Sequence, residues 1–142
     1  MRARIGDVEA ALVDLARSVA SDTGASSTTQ LPPAANADKA WNALGSSGLL
    51  NIRAEGGTVL DLVLCAEQFG TMLSATPFVG ACLAREIVGP SDARIVGSLN
   101  STFAADGLGA EKIAFVRAGH AHITEAGEIL ATADRSRVAI RT

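Results

Sequence analysis

Through the first ninety positions, apolar residues recur at intervals of three and four with polar residues between them, the pattern of helices that lay one face on a core. Ile5, Val8, Leu12, Leu15 and Val19 trace one such stripe, with Asp7, Glu9, Asp14 and Arg17 on its wet side, so a first amphipathic helix is expected over 5–20. From Ser21 to Ala37 the periodicity stops and Ser, Thr, Ala and Pro dominate, which predicts a flexible connector. Ala40, Trp41 and Leu44 restore helical spacing, and Gly48 supplies a residue that accepts the left-handed conformation at a helix end. Leu49, Leu50 and Ile52 then form an apolar run too short for another helix, closed by Gly56-Gly57 and expected to pack inward as a connector.

Thr58 and Asp61 have the spacing of a capping box, in which the hydroxyl and the carboxylate each take a backbone N–H of the first turn. Behind them Val59, Leu62, Val63, Ala66 and Phe69 repeat as one stripe that Leu60 and Leu64 widen and Gly70 closes. Thr76-Pro77-Phe78 predicts another helix start, with Thr76 as N-cap and Pro77 at the first helical position. Phe78, Cys82 and Arg85 share one row of that helix, Val79, Leu83 and Ile87 the next, and Gly89-Pro90 ends it. Ser91 is placed to cap a last short helix running through Leu99.

After that the period changes to two. Ser101–Ala104, Lys112–Val116, His120–Thr124 and Val138–Arg141 read as short strands separated by Gly107, Gly109, Gly119 and Gly127. Helices followed by strands predict an α+β fold, with an antiparallel helical domain over 1–99 and a small, incomplete antiparallel β region over 100–142.

Trp41 with Leu44, Gly48-Leu49-Leu50, Gly56-Gly57, Glu67 two residues before Phe69-Gly70, and Pro77-Phe78 stand in an order and spacing that resembles the N-terminal helical domain of acyl-CoA dehydrogenases. Ala133-Asp134-Arg135-Ser136-Arg137-Val138 is similar to the stretch that closes the middle β-domain of that family. The resemblance implies flavin-dependent α,β-desaturation of acyl-CoA thioesters, in which a carboxylate takes the α-proton and flavin N5 takes the β-hydride. In that family the base comes from a C-terminal helical domain, and this chain reaches Thr142 without such a segment, so no catalytic base is assigned. The family's flavin-binding motif is also missing, because Ser101-Thr102-Phe103-Ala104-Ala105-Asp106-Gly107 keeps only its strand-like lead. FAD is therefore the cofactor by resemblance, held by no assigned residue here, and the expected form is incomplete and inactive alone. The alternative reading is a non-catalytic subunit or assembly partner of a full-length acyl-CoA dehydrogenase, and either reading predicts a homo- or hetero-oligomer.

Composition narrows this further. The chain has 142 residues, 48% hydrophobic and 19% charged, enough for one core of ordinary size. A net charge of −3 without a Lys/Arg cluster argues against binding a phosphate backbone. Cys65 and Cys82 both lie in apolar helical rows and are expected as buried, inert thiols of a reducing compartment. Asp7, Glu9 and Asp14 interrupt any signal-peptide core and no run approaches a membrane span, so a cytoplasmic location is expected.

The remaining candidates read as ordinary structure. Glu67, Glu86 and Glu55 are expected on solvated faces. His120 and His122, two apart on a strand with Glu125 nearby, have the spacing to share a metal, yet without a third ligand they read as a solvated strand face, and no metal site is assigned. Gly107-Leu108-Gly109-Ala110-Glu111-Lys112 has neither dinucleotide nor Walker spacing and is expected as a turn. Asn100-Ser101-Thr102 matches a glycosylation sequon that carries no meaning without secretion. Phe69, Met72 and Phe78 are the residues that the resemblance places along an acyl channel, although core packing is the favoured reading of each, since apolar residues at helical spacing usually fill interiors.

Overall fold

Thr58 and Asp61 grip the first turn of a helix from both sides. The Thr58 hydroxyl accepts from the Asp61 backbone N–H at 3.3 Å, and the Asp61 carboxylate accepts from the Thr58 N–H at 2.6 Å. The computed structural model of the chain describes residues 6–24, 37–99, 103–104, 107–130 and 139–141. Among the described residues the helices are α1 (Asp7–Thr23), α2 (Ala37–Ser47), α3 (Val59–Thr71) and α4 (Phe78–Val88), with one 3₁₀ turn at Leu49–Asn51. The strands are β1 (Ile95–Ser98), β2 (Phe103–Ala104), β3 (Lys112–Arg117), β4 (His120–Glu125), β5 (Ile129–Leu130) and β6 (Ala139–Arg141). The fold is α+β, and no helix of the described residues is long and apolar enough to cross a membrane.

Several helix ends fall where local chemistry puts them. Gly48 stops α2 with φ +78°, and Gly89 stops α4 with φ +83°. Other ends move. The helix α1 continues through Ser21 to Thr23, into the expected connector, and α2 begins at Ala37; residues 25–36 lie outside the described ones. Gly70 does not end α3, which runs on to Thr71 and turns away through Leu73 at φ +50°, with the Ser74 N–H reaching back to the Phe69 carbonyl at 2.9 Å.

Thr76 does not cap α4. Its hydroxyl belongs instead to a buried triangle with Thr23 and Ser74, at 2.7 and 2.8 Å, that ties the end of α1 to the α3–α4 connection, and Pro77 takes the N-cap position without a side-chain bond.

The expected helix from Ser91 to Leu99 is not formed, because Ile95–Ser98 is a fully buried strand. Its β-branched Ile95 and Val96 suit a pleated surface, and Gly97 lets the strand lie against α4, since a Cβ there would fall 2.5 Å from Leu83 Cγ. This strand also overturns the expectation of a purely antiparallel β region. β1 pairs with β3 in parallel, Ile95 opposite Lys112, while β3 pairs with β4 antiparallel, giving a mixed sheet in the order β1-β3-β4. A second, antiparallel sheet runs β2-β6-β5. Sequence periodicity had not marked β5, which is a two-residue strand.

One core cluster includes Ala16 of α1, Leu44 of α2, Phe69 of α3, Phe78 of α4, Ile113 of β3 and Ile140 of β6, so helices and sheets share an interior. Trp41 links them further by donating its indole N–H to the Leu108 carbonyl at 2.7 Å.

Candidate functional site

The face that α3 buries is rotated from the stripe its spacing predicts: Phe69 is buried and Leu62 and Ala66 pack against the core, but Val59 and Val63 do not. Asp61, Cys65, Gln68 and Phe69 are buried, whereas Val59 and Val63 are 63% and 58% exposed. Two polar residues can go inward because each is satisfied: Asp61 by the cap, and Gln68 by accepting from Arg17 Nε of α1 at 3.1 Å. The helix α1 is turned in the same way. Ala16, Val19, Ala20 and Thr23 face the core while Val8 and Leu15 remain exposed, since small alanines let α1 approach α3 closely. Ile5 lies outside the described residues.

The consequence is an apolar groove of about 280 Å³ between α3 and α4. Val59, Val63 and Ala66 form one wall, Val79 and Leu83 the other, and Phe78 and Cys82 are among the lining residues between them. Val79 is 46% exposed. The acidic residue at this groove is Glu86, whose carboxylate accepts from Arg53 Nε at 3.1 Å. The arrangement can hold an apolar surface or chain, and it presents no carboxylate free to act as a base.

Of the three residues assigned to an acyl channel, Phe78 alone borders the groove. Its ring stacks on Phe69 at a centroid distance of 4.8 Å, with both residues buried, and Met72 is half-buried against the same core. Of the groove walls, Val59 and Val63 belong to the stripe that spacing predicts as the apolar face of α3, and Val79 and Leu83 to one of the two rows of α4. Their signal was present in the sequence: Leu60 and Leu64 make α3 apolar over more than one stripe, which is more than one buried face requires.

Burial pushes the Cys65 thiol up to about 11, with the Asp61 charge adding to the shift, and the thiol donates to the Leu12 carbonyl at 3.8 Å. It is protonated and inert at neutral pH. Cys82 is buried as well, and the two cysteines form no disulfide. The Asp61 carboxyl is held below its ordinary range by the Thr58 backbone N–H first and the Thr58 hydroxyl second.

Glu67 and Glu55 are exposed. His120 and His122 are exposed on β4, where His122 stacks on its cross-strand neighbour Phe115 at 5.4 Å, and no group of three possible metal ligands occurs among the described residues. Gly107–Ala110 is a β-turn, closed by the Ala110 N–H on the Gly107 carbonyl at 3.1 Å. The residues compared with a flavin-binding segment are described at 103–104 and 107, where Ala104 is buried and a Cβ on Gly107 would meet Ile140. The sequon at 100–102 and the stretch 133–138 lie outside the described residues. Compared with known protein families, curated proteins and solved structures, the chain matches none of them.

Proposed function

We propose that this chain is an abbreviated acyl-CoA dehydrogenase-like helical module whose α3–α4 groove docks on the helical domain of an acyl-CoA dehydrogenase polypeptide. Flavin-dependent desaturation of an acyl-CoA thioester then belongs to the assembly and not to this chain alone. The observation that carries this reading is the uncovered apolar groove, because exposed Val59, Val63 and Val79 gain about 25 cal/mol per Å² when a partner covers them. The family itself rests on the resemblance between Trp41 and Phe78.

Among the described residues none is assigned to FAD. Of the segment where the resemblance would place flavin contacts, the described residues Ala104 and Gly107 are packed inward, Ala104 buried and Gly107 against Ile140. No step of the reaction is therefore assigned to these residues, and the cofactor is allotted to the partner polypeptide. A cytoplasmic location accords with the unbridged cysteines.

Purified alone and desalted after incubation with FAD, the protein is expected to be colourless and to leave acyl-CoA substrates unoxidised with an artificial electron acceptor. Co-expressed with a full-length acyl-CoA dehydrogenase, it is expected to co-elute, and Val63→Glu with Val79→Glu should abolish that co-elution. Flavin retained by the isolated chain and bleached by an acyl-CoA would replace this reading with a self-sufficient enzyme. Loss of all association, with the groove variants behaving as wild type, would end the docking proposal.

A further inference from the structure

Arg85 is, among the described residues, the one half-buried arginine without a carboxylate partner. Arg17, Arg53, Arg94 and Arg141 pair with Asp14, Glu86, Asp38 and Glu128, and Arg117 is exposed. Arg85 instead donates from Nη1 to Asn51 Oδ1 at 2.8 Å and from Nη2 to the Ser91 carbonyl at 3.4 Å. Both acceptors are neutral. They fix the guanidinium in place without cancelling its charge, and they leave part of its five-donor fork unused.

This fixed charge lines a cleft of about 660 Å³, between α2 and the loop that leads from α4 to β1. The volume lies within the range of small-molecule sites. The cleft combines two kinds of surface that such a site needs. Arg94 adds a second guanidinium, already balanced by Asp38, while Trp41, Leu50 and Pro90 supply apolar area. Asp92 is the acidic residue in the lining, exposed and in no ion pair with Arg85.

We infer that this cleft binds a small-molecule oxyanion, a phosphate or a carboxylate, anchored on the Arg85 fork with its apolar part against Trp41 and Leu50. The inference does not depend on the dehydrogenase reading, since it uses none of the groove residues. A helix C-terminus also favours a cation, and Arg85 lies in the last turn of α4. That role needs only a positive charge, whereas the two-point grip inferred here needs the planar fork, and the two are separable by substitution.

Trp41 is the single tryptophan of the chain and lines the cleft, so its fluorescence reports occupancy. Titration with inorganic phosphate and pyrophosphate in one series, and acetate and benzoate in another, at constant ionic strength, is expected to give a saturable change in one of them. Calorimetry of the same solutions checks it independently. The series that saturates identifies the source of the oxyanion.

Arg85→Gln should weaken binding about tenfold or more, the weight of one lost charge-assisted contact. Arg85→Lys, which keeps the charge and loses the fork, should remain clearly weaker than wild type, whereas Asp92→Asn should bind more tightly. Arg117→Gln, at the exposed end of β3, should bind as wild type. The inference is overturned if neither series saturates by either method, if Arg85→Lys binds as wild type, or if Asp92→Asn leaves affinity unchanged. The last readout stands even where Arg85→Gln fails to fold.

Discussion

Ala118 holds φ +50° in the two-residue turn between β3 and β4, followed by Gly119 at +81°, and the Arg117–His120 pair closes the hairpin around them. Both turn residues having positive φ is the mark of a type I′ turn, where Asn-Gly is preferred and an alanine is strained. Ala118→Asn should therefore stabilise the protein by about 0.5–1 kcal/mol, read as a higher urea midpoint at unchanged slope. Asp61 gives a pH-dependent contribution. Its carboxyl titrates below its ordinary 3.8 in the folded chain, so the cap's stabilisation is complete above that value and is lost as pH falls through the lower folded one. Asp61→Ala should be less stable than wild type at neutral pH, with the difference narrowing in acid. Cys65 has the opposite sign. Its ordinary 9.0 rises to about 11, so its buried thiol contributes fully below about 9 and the contribution disappears as pH climbs through about 11. In native protein Cys65 should resist alkylation at mildly alkaline pH and react once urea unfolds the chain.

Among the described residues, α2 is joined to the β part of the fold by Asp38 pairing with Arg94, next to β1, and by the Trp41 indole donating to the Leu108 carbonyl. Gly109, next in the turn, has φ +62°, and a Cβ there would stand 2.5 Å from Ala37 Cβ, so the turn can close on α2 only with glycine at that position. Trp41→Phe keeps most of the buried ring and leaves the Leu108 carbonyl without its donor. It should cost about 1–3 kcal/mol, measurable by thermal or urea unfolding. β1 depends in a similar way on close approach, because Gly97 is what allows a buried strand to lie directly on α4. Without that contact and the parallel pairing to β3, the local preference of Ser91 to start a helix would have no competitor.

The helices and both sheets share one core, yet that core leaves an apolar groove on its helical side. Val63→Glu combined with Val79→Glu places charge at two half-exposed positions outside the core, so stability should fall by no more than about 1 kcal/mol. Self-association should fall. Sedimentation at several concentrations checks this, with wild type showing concentration-dependent association and the double variant showing less. Equal association in both would mean that the groove is not the adhesive surface.

The elements legible from residue order alone are those decided within a few positions. Gly48 and Gly89 end helices by their positive φ, Thr58 and Asp61 satisfy each other's backbone across one turn, and β3 and β4 alternate around a two-residue bend. Distant partners decided the rest. Val8, Leu15, Val59 and Val63 read as core by spacing, but small Ala16 and Ala20 and the satisfied polar pair Asp61 and Gln68 take the inward faces instead. The groove and the Arg85 cleft are built from side chains of separate segments. Periodicity shows only that α3 carries more apolar surface than one buried face requires; packing against its neighbours selects which face loses its water, and no spacing marks the Arg85 cleft.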